Sequence, residues 1–86
     1  GMRFQSGKEA AGVKGLILLE KQHVIFGLRL QVRFPLLGNE TYVADATYLD
    51  DECQGHVIDF KGYKTRDYLR KRKRFFERYH REIEEL

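Results

Sequence analysis

The run "HVIDFKG", residues 56–62, sets Asp59 and Lys61 two positions apart in an otherwise apolar stretch. A strand has a side-chain period of two, so the carboxylate and the ammonium project from one face. Upstream, "TYVADATYL" at 41–49 carries Asp45 inside a second strand-like run, and if the two runs pair as a hairpin Asp45 lies beside Asp59 and Lys61. Carboxylates brought together repel unless a cation joins them, and hard oxygen donors select Mg2+ or Mn2+. Such an ion lowers the pKa of a bound water and stabilises charge on a phosphoryl oxygen, while a nearby lysine orients the attacking water or steadies the anionic transition state. Those are the parts needed to hydrolyse a phosphodiester. Asp-x-Lys alone is a weak motif, and the plainer reading is a same-face ion pair worth roughly 0 to 1 kcal/mol. The signal strengthens because three further features co-occur: Asp45 on the adjacent strand, Glu9 in the first helical run, and a basic segment directly downstream.

The elements that must position these residues follow from the pattern. Ser6 with Glu9 three residues later has capping-box spacing and predicts a helix over "KEAAGVKGLILLEKQ", with Ala10, Val13, Leu16, Ile17 and Leu19 as its buried stripe. Gly12 and Gly15 each weaken that helix by about 1 kcal/mol relative to alanine, so they are either tolerated or mark a close approach. After Gly27, "LRLQVRF" alternates Leu28, Leu30, Val32 and Phe34 with Arg29, Gln31 and Arg33, a half-buried strand ended by Pro35. "LGNE" supplies a turn, and in the second strand Tyr42, Ala44, Ala46 and Tyr48 share a face. "DDECQG" makes a solvated hairpin connection to the third strand, which Gly62 stops. Thr65 caps a closing helix from Arg66, with Leu69, Phe76, Tyr79, Ile83 and Leu86 at roughly helical spacing. The expected architecture is α+β (α/β): helix, three-stranded meander, helix, in one domain over residues 2–86, with Gly1 read as a cleavage scar before Met2.

Composition narrows the function classes. The chain has 86 residues, 16 Lys and Arg against 13 Asp and Glu, and a net charge of +3. The charge is polarised: "KGYKTRDYLRKRKRFFERYHR", residues 61–81, holds only Asp67 and Glu77 as acids, while "LDDEC" and the terminal "EIEEL" carry the balance. A basic stripe interleaved with Tyr63, Tyr68, Phe75, Phe76 and Tyr79 suits phosphate contact, and a helix can bury its aromatics while presenting its arginines. Lys64, Arg66, Arg70, Lys71, Arg72, Lys73 and Arg74 are the candidate nucleic-acid contacts. No run of about 18 apolar residues and no signal-peptide pattern occurs, which predicts a cytoplasmic protein without a membrane partner. The lone Cys53 and the scattered His23, His56 and His80 show no zinc-ligand spacing, so the histidines are expected to be solvated or half-buried.

Taken in order, "FQSGKEA", "YVADATY", "VIDFKG" and "TRDYLRKRKRF" resemble the PD-(D/E)xK nuclease superfamily, and in particular a group of small phage and prophage proteins with the pattern F-x-S-x-x-E, L-x-x-Q-x-x-F, Y-x-A-D, D-x-K-G, T-x-x-Y-x-x-K. The likeness runs from Phe4 to about Tyr79 and takes in Leu28, Gln31, Phe34, Thr65, Tyr68 and Lys71. It implies a restriction-endonuclease-like core of α-β-β-β-α-β order in which Asp45 and Asp59 are metal ligands, Lys61 is the catalytic lysine, and Glu9 is a first-helix acid acting directly or through water. Mg2+ or Mn2+ is the implied cofactor. Ala46 departs from the aromatic residue often found after the motif aspartate, and Asp59 stands where many members have glutamate. "EIEEL" is expected to leave little room for a final strand, so that the core is truncated or completed by a second copy.

The expected function is metal-dependent phosphodiester hydrolysis on DNA, by an endonuclease acting on branched or otherwise structured phage DNA. The alternatives are a non-catalytic nucleic-acid-binding module that keeps the fold, and a structural homodimer joined through its closing aromatic helix.

Overall fold

A computed structural model of the chain describes residues 7–60 and 64–86. Its elements are α1 (Gly7–Lys21), β1 (Phe26–Pro35), β2 (Thr41–Leu49), β3 (Gly55–Asp59), α2 (Arg66–Tyr79) and β4 (Ile83–Glu85). The fold is mixed α+β, with one four-stranded sheet in the order β1-β2-β3-β4. β1, β2 and β3 form an antiparallel meander, and β4 runs parallel to β3 with Val57 opposite Ile83 and Asp59 opposite Glu85. A short fourth strand is therefore present within this chain, where the tail was expected to leave little room for one. Three residues suffice, because Ile83 is buried, and Leu86 N–H donates to the Asp59 carbonyl at 3.0 Å just beyond the ladder.

The helices cover opposite faces of the sheet. Val57 and Ile58 are consecutive in β3 and so point to opposite sides. Val57 packs with Tyr68 and Phe75 of α2, and Ile58 with Val13 and Leu16 of α1. Buried α2 residues are Tyr68 and Phe75, with Tyr79 half-buried against them. Leu69 and Phe76, expected to face the core, are exposed. The helix also ends at Tyr79, where His80 turns left-handed at φ 54° and donates its N–H to Phe76 O, so Ile83 and Leu86 lie beyond it. At the other end Thr65 caps α2 as predicted, its hydroxyl accepting from Tyr68 N–H. In α1 the stripe holds at Val13 and Leu16, but Leu19 is exposed. Ser6 falls outside the described residues.

The meander departs from simple alternation at one level. Leu28 and Leu30 pack on the α1 side, yet Phe34, two alternations further on, packs on the α2 side. Across from them Ala46 belongs with α1, and Ala44 and Tyr42 with α2. Both strands thus exchange faces at one position, Gln31 in β1 and Asp45 in β2, which the pairs Leu30↔Ala46 and Val32↔Ala44 bracket. Gln31 has φ 53°, a left-handed conformation that a residue bearing a Cβ adopts at a cost of about 1–3 kcal/mol. The expected single faces of β1 and β2 are corrected accordingly: each strand gives one half of its apolar set to either helix. A second irregularity, at Gly27 with φ 62°, shifts the register between Phe26 and Arg29.

Candidate functional site

The face exchange opens a groove of about 310 Å³, lined among others by Glu9 of α1, Gln31 of β1, Tyr42 and Asp45 of β2, and Tyr68 and Lys71 of α2. Glu9 is buried, and its Oε2 accepts a hydrogen bond from Gln31 Nε2 at 3.0 Å, which joins α1 to β1 across the groove. Asp45 is half-buried, and its Oδ2 accepts from Phe60 N–H at 2.7 Å, holding the segment after β3 against β2. The groove thus gathers Glu9, Asp45 and Lys71, with Asp67 at its rim.

Asp59 stands differently. The last β2–β3 pair is Ala46↔Ile58, so Asp59 occupies the next position along, level with Asp45. It is fully buried, and its Oδ2 accepts from the Tyr42 hydroxyl at 2.5 Å. Tyr42 lines the groove and Asp59 does not. The phenol therefore stands between the groove and the second aspartate. Burial first, and then the Asp59 carboxylate it donates to, push the Tyr42 phenol far above its ordinary range, so it stays a proton donor throughout the working pH range. Burial, and then the nearby Glu85 carboxylate, likewise raise Tyr68.

Lys61 lies outside the described residues, so its pairing with Asp59 is not placed. Among the described residues no three of His, Cys, Asp and Glu converge closely enough to hold a metal ion as a cluster. The donor chemistry of the groove nonetheless suits magnesium, which is usually held by one or two carboxylates with water and substrate phosphate oxygens completing its shell. Glu9 and Asp45, which both line the groove, are the carboxylates that would hold it there.

The basic helix is more neutralised than its sequence suggests. Arg70 bonds Glu40 in the β1–β2 turn and Asp67 at 2.6 Å; Lys71 reaches Asp67 at 3.5 Å and Arg74 reaches Glu40 at 4.0 Å. Arg72 and Lys64 lie 2.8 and 3.6 Å from Glu85 of β4. Arg66 and Lys73 are exposed and enter no ion pair among the described residues. Sequence reasoning missed Tyr42 as the partner of Asp59, because alternation assigns its ring to the core and says nothing of its hydroxyl. It also missed the role of His56, half-buried between Asp50 Oδ2 (2.9 Å) and Glu84 Oε2 (2.5 Å) and stacked on Tyr48 at 4.8 Å. Asp50 is likewise more than a solvated tip residue, since its Oδ1 accepts the N–H groups of Glu52 and Gln54. Among the described residues no helix is long and apolar enough to cross a membrane. The chain matches no known protein-family model, no curated protein and no solved structure.

Proposed function

We propose that the groove between α1, β2 and α2 is the centre of a metal-dependent nuclease of restriction-endonuclease-like type, hydrolysing phosphodiester bonds in DNA. The observation that carries this reading is the meeting of Glu9, Gln31 and Asp45 in one groove beside Lys71, at the level where both strands exchange faces. The sequence order αβββαβ agrees with it. Glu9 and Asp45 would hold Mg2+ or Mn2+, with Asp59 behind them, and the ion supplies an activated water and charge stabilisation at the phosphoryl oxygen. Gln31 orients Glu9 through its amide. Lys71, with Arg66 and Lys73 on the same helix, meets the phosphate backbone.

The test is calorimetric titration of Mn2+ and Mg2+ into the wild type, Glu9→Gln and Asp45→Asn, followed by incubation of the same samples with duplex, nicked and branched DNA. Metal binding and cleavage by the wild type, both lost in Asp45→Asn, are the expected results. Asp45 is the better position to vary, because Asp59 is completely buried and its removal would perturb the fold. Absence of metal binding together with absence of cleavage on every substrate would sink the proposal. Salt-sensitive DNA binding that survived both substitutions would favour a non-catalytic nucleic-acid-binding module, a reading supported by the engagement of Asp59 with Tyr42.

A further inference from the structure

A second and larger groove, of about 650 Å³, lies at the other end of β2, lined by Thr47, Tyr48 and Leu49 where the first is lined by Thr41, Tyr42 and Val43. Its floor is apolar: Val32, Phe34, Val57, Phe75 and Tyr79. Phe34, Phe75 and Tyr79 pack mutually, with ring centroids 5.0, 5.6 and 4.9 Å apart. That triad is rigid, because Phe75 is buried and the Tyr79 hydroxyl donates to Pro35 O at 2.7 Å. Two arginines, Arg29 from β1 and Arg81 from the segment before β4, lie on the groove's walls. Arg81 is steadied by its Nη1 donating to Gly55 O at 2.8 Å, and Arg29 enters no ion pair among the described residues. Among the described residues that line the groove none is acidic. An apolar floor with cationic walls and no counter-anion is complementary to one kind of ligand, an anionic head on an apolar body. The volume falls in the range of small-molecule sites, roughly 300–1,000 Å³, and the guanidinium fork matches a carboxylate.

We infer that this groove binds a small organic carboxylate, its acyl or aryl body on the Phe34–Tyr79 floor and its carboxylate between Arg29 and Arg81. The site is separate from the acidic groove and stands or falls independently of the nuclease reading. The test titrates isotopically labelled protein with 4-butylbenzoate and with 4-butylbenzamide, which share an apolar body and differ in charge, while backbone amide shifts are followed by NMR. The benzoate is expected to move the signals of Thr47, Val57 and Tyr79 and to bind at least tenfold more tightly than the amide. Arg29→Ala and Arg81→Ala should each weaken it by roughly tenfold, about the loss of one charge-assisted hydrogen bond, whereas Arg33→Ala, exposed on the same strand and outside the groove, should leave it unchanged. Arg29 is exposed on an edge strand, so its replacement tests the head group without disturbing the fold. Equal binding of benzoate and amide, shifts clustered elsewhere, or no saturable binding would each overturn the assignment.

Discussion

At the residue scale the pair Tyr42–Asp59 decides how the acidic groove works. A fully buried carboxylate needs compensation, and the Tyr42 hydroxyl supplies part of it at 2.5 Å. The same residue lines the groove that Asp59 does not reach, so opposing effects follow from removal of its hydroxyl. Tyr42→Phe should destabilise the fold by about 1–3 kcal/mol, the cost of withdrawing a partner from a buried charged acceptor. It should also tighten Mn2+ binding, because Asp59 then gains more from a cation than it loses from a phenol. Chemical denaturation with and without Mn2+ checks both: a larger stability deficit in metal-free buffer than in Mn2+ is the expected result, and an equal deficit would show that Asp59 is structural alone. The positions of Asp45 and Asp59 were legible in the sequence, since a period of two and one hairpin register bring them level. The hydroxyl between them was not, because apolar alternation reports where a ring goes and not what its polar end meets.

At the scale of elements, legibility depended on whether local chemistry or tertiary packing set the outcome. Thr65 opened α2 where a capping side chain predicts it, and the turn at Gly38 and Asn39, both at positive φ, lies where "LGNE" places it. The buried face of α2 was misphased, since Leu69 and Phe76 are as apolar as Tyr68 and Phe75 and only the sheet decides between them. Gly12 shows the same contrast in α1: a Cβ there would stand 2.5 Å from Cζ of the buried Phe60 ring, while one at Gly15 would meet nothing within 4 Å. One glycine is a packing requirement and the other is merely tolerated, a distinction no helical pattern contains. β4 escaped because three residues carry too little pattern, and its placement rests partly on His56, which links Glu84 of β4 to Asp50 of the hairpin. Hydrogen bonds to Asp50, and then to Glu84, raise His56 above its ordinary 6.5. Its stabilising contribution is complete below that value and is lost as pH rises through the raised one. Hydrogen exchange at the β3–β4 amides should therefore quicken as pH rises above 6.5, beyond the intrinsic rate, and His56→Gln should abolish that excess. A wild-type excess that persisted in the variant would assign it to another group.

At the scale of the whole molecule, the net charge of +3 and the run of cations on α2 suggest a long phosphate-binding stripe, but the fold spends most of it internally. Arg70 and Arg74 fasten α2 to Glu40 in the first hairpin, and Lys64 and Arg72 fasten it to Glu85 in the last strand. These pairs lie at the surface, where each is individually weak and screened by salt, so a nucleic acid can compete for them only by stripping Glu40 and Glu85 of their cationic partners. Arg66 and Lys73 carry no such obligation among the described residues. Their phosphates should thus dominate the ionic part of DNA binding, and each contact should contribute about 0.9 to the slope of log K against log salt. The double variant Arg66→Ala, Lys73→Ala is expected to flatten that slope by roughly 2, measured by fluorescence anisotropy between low and physiological salt. Arg72→Ala should change it little, because Glu85 already neutralises that arginine in the free protein and leaves it little charge to offer a phosphate. The reverse ranking, with Arg72 dominating and the double variant silent, would mean that the ion pairs open on binding and that the whole helix, with its ties to both ends of the sheet, rearranges when DNA is engaged.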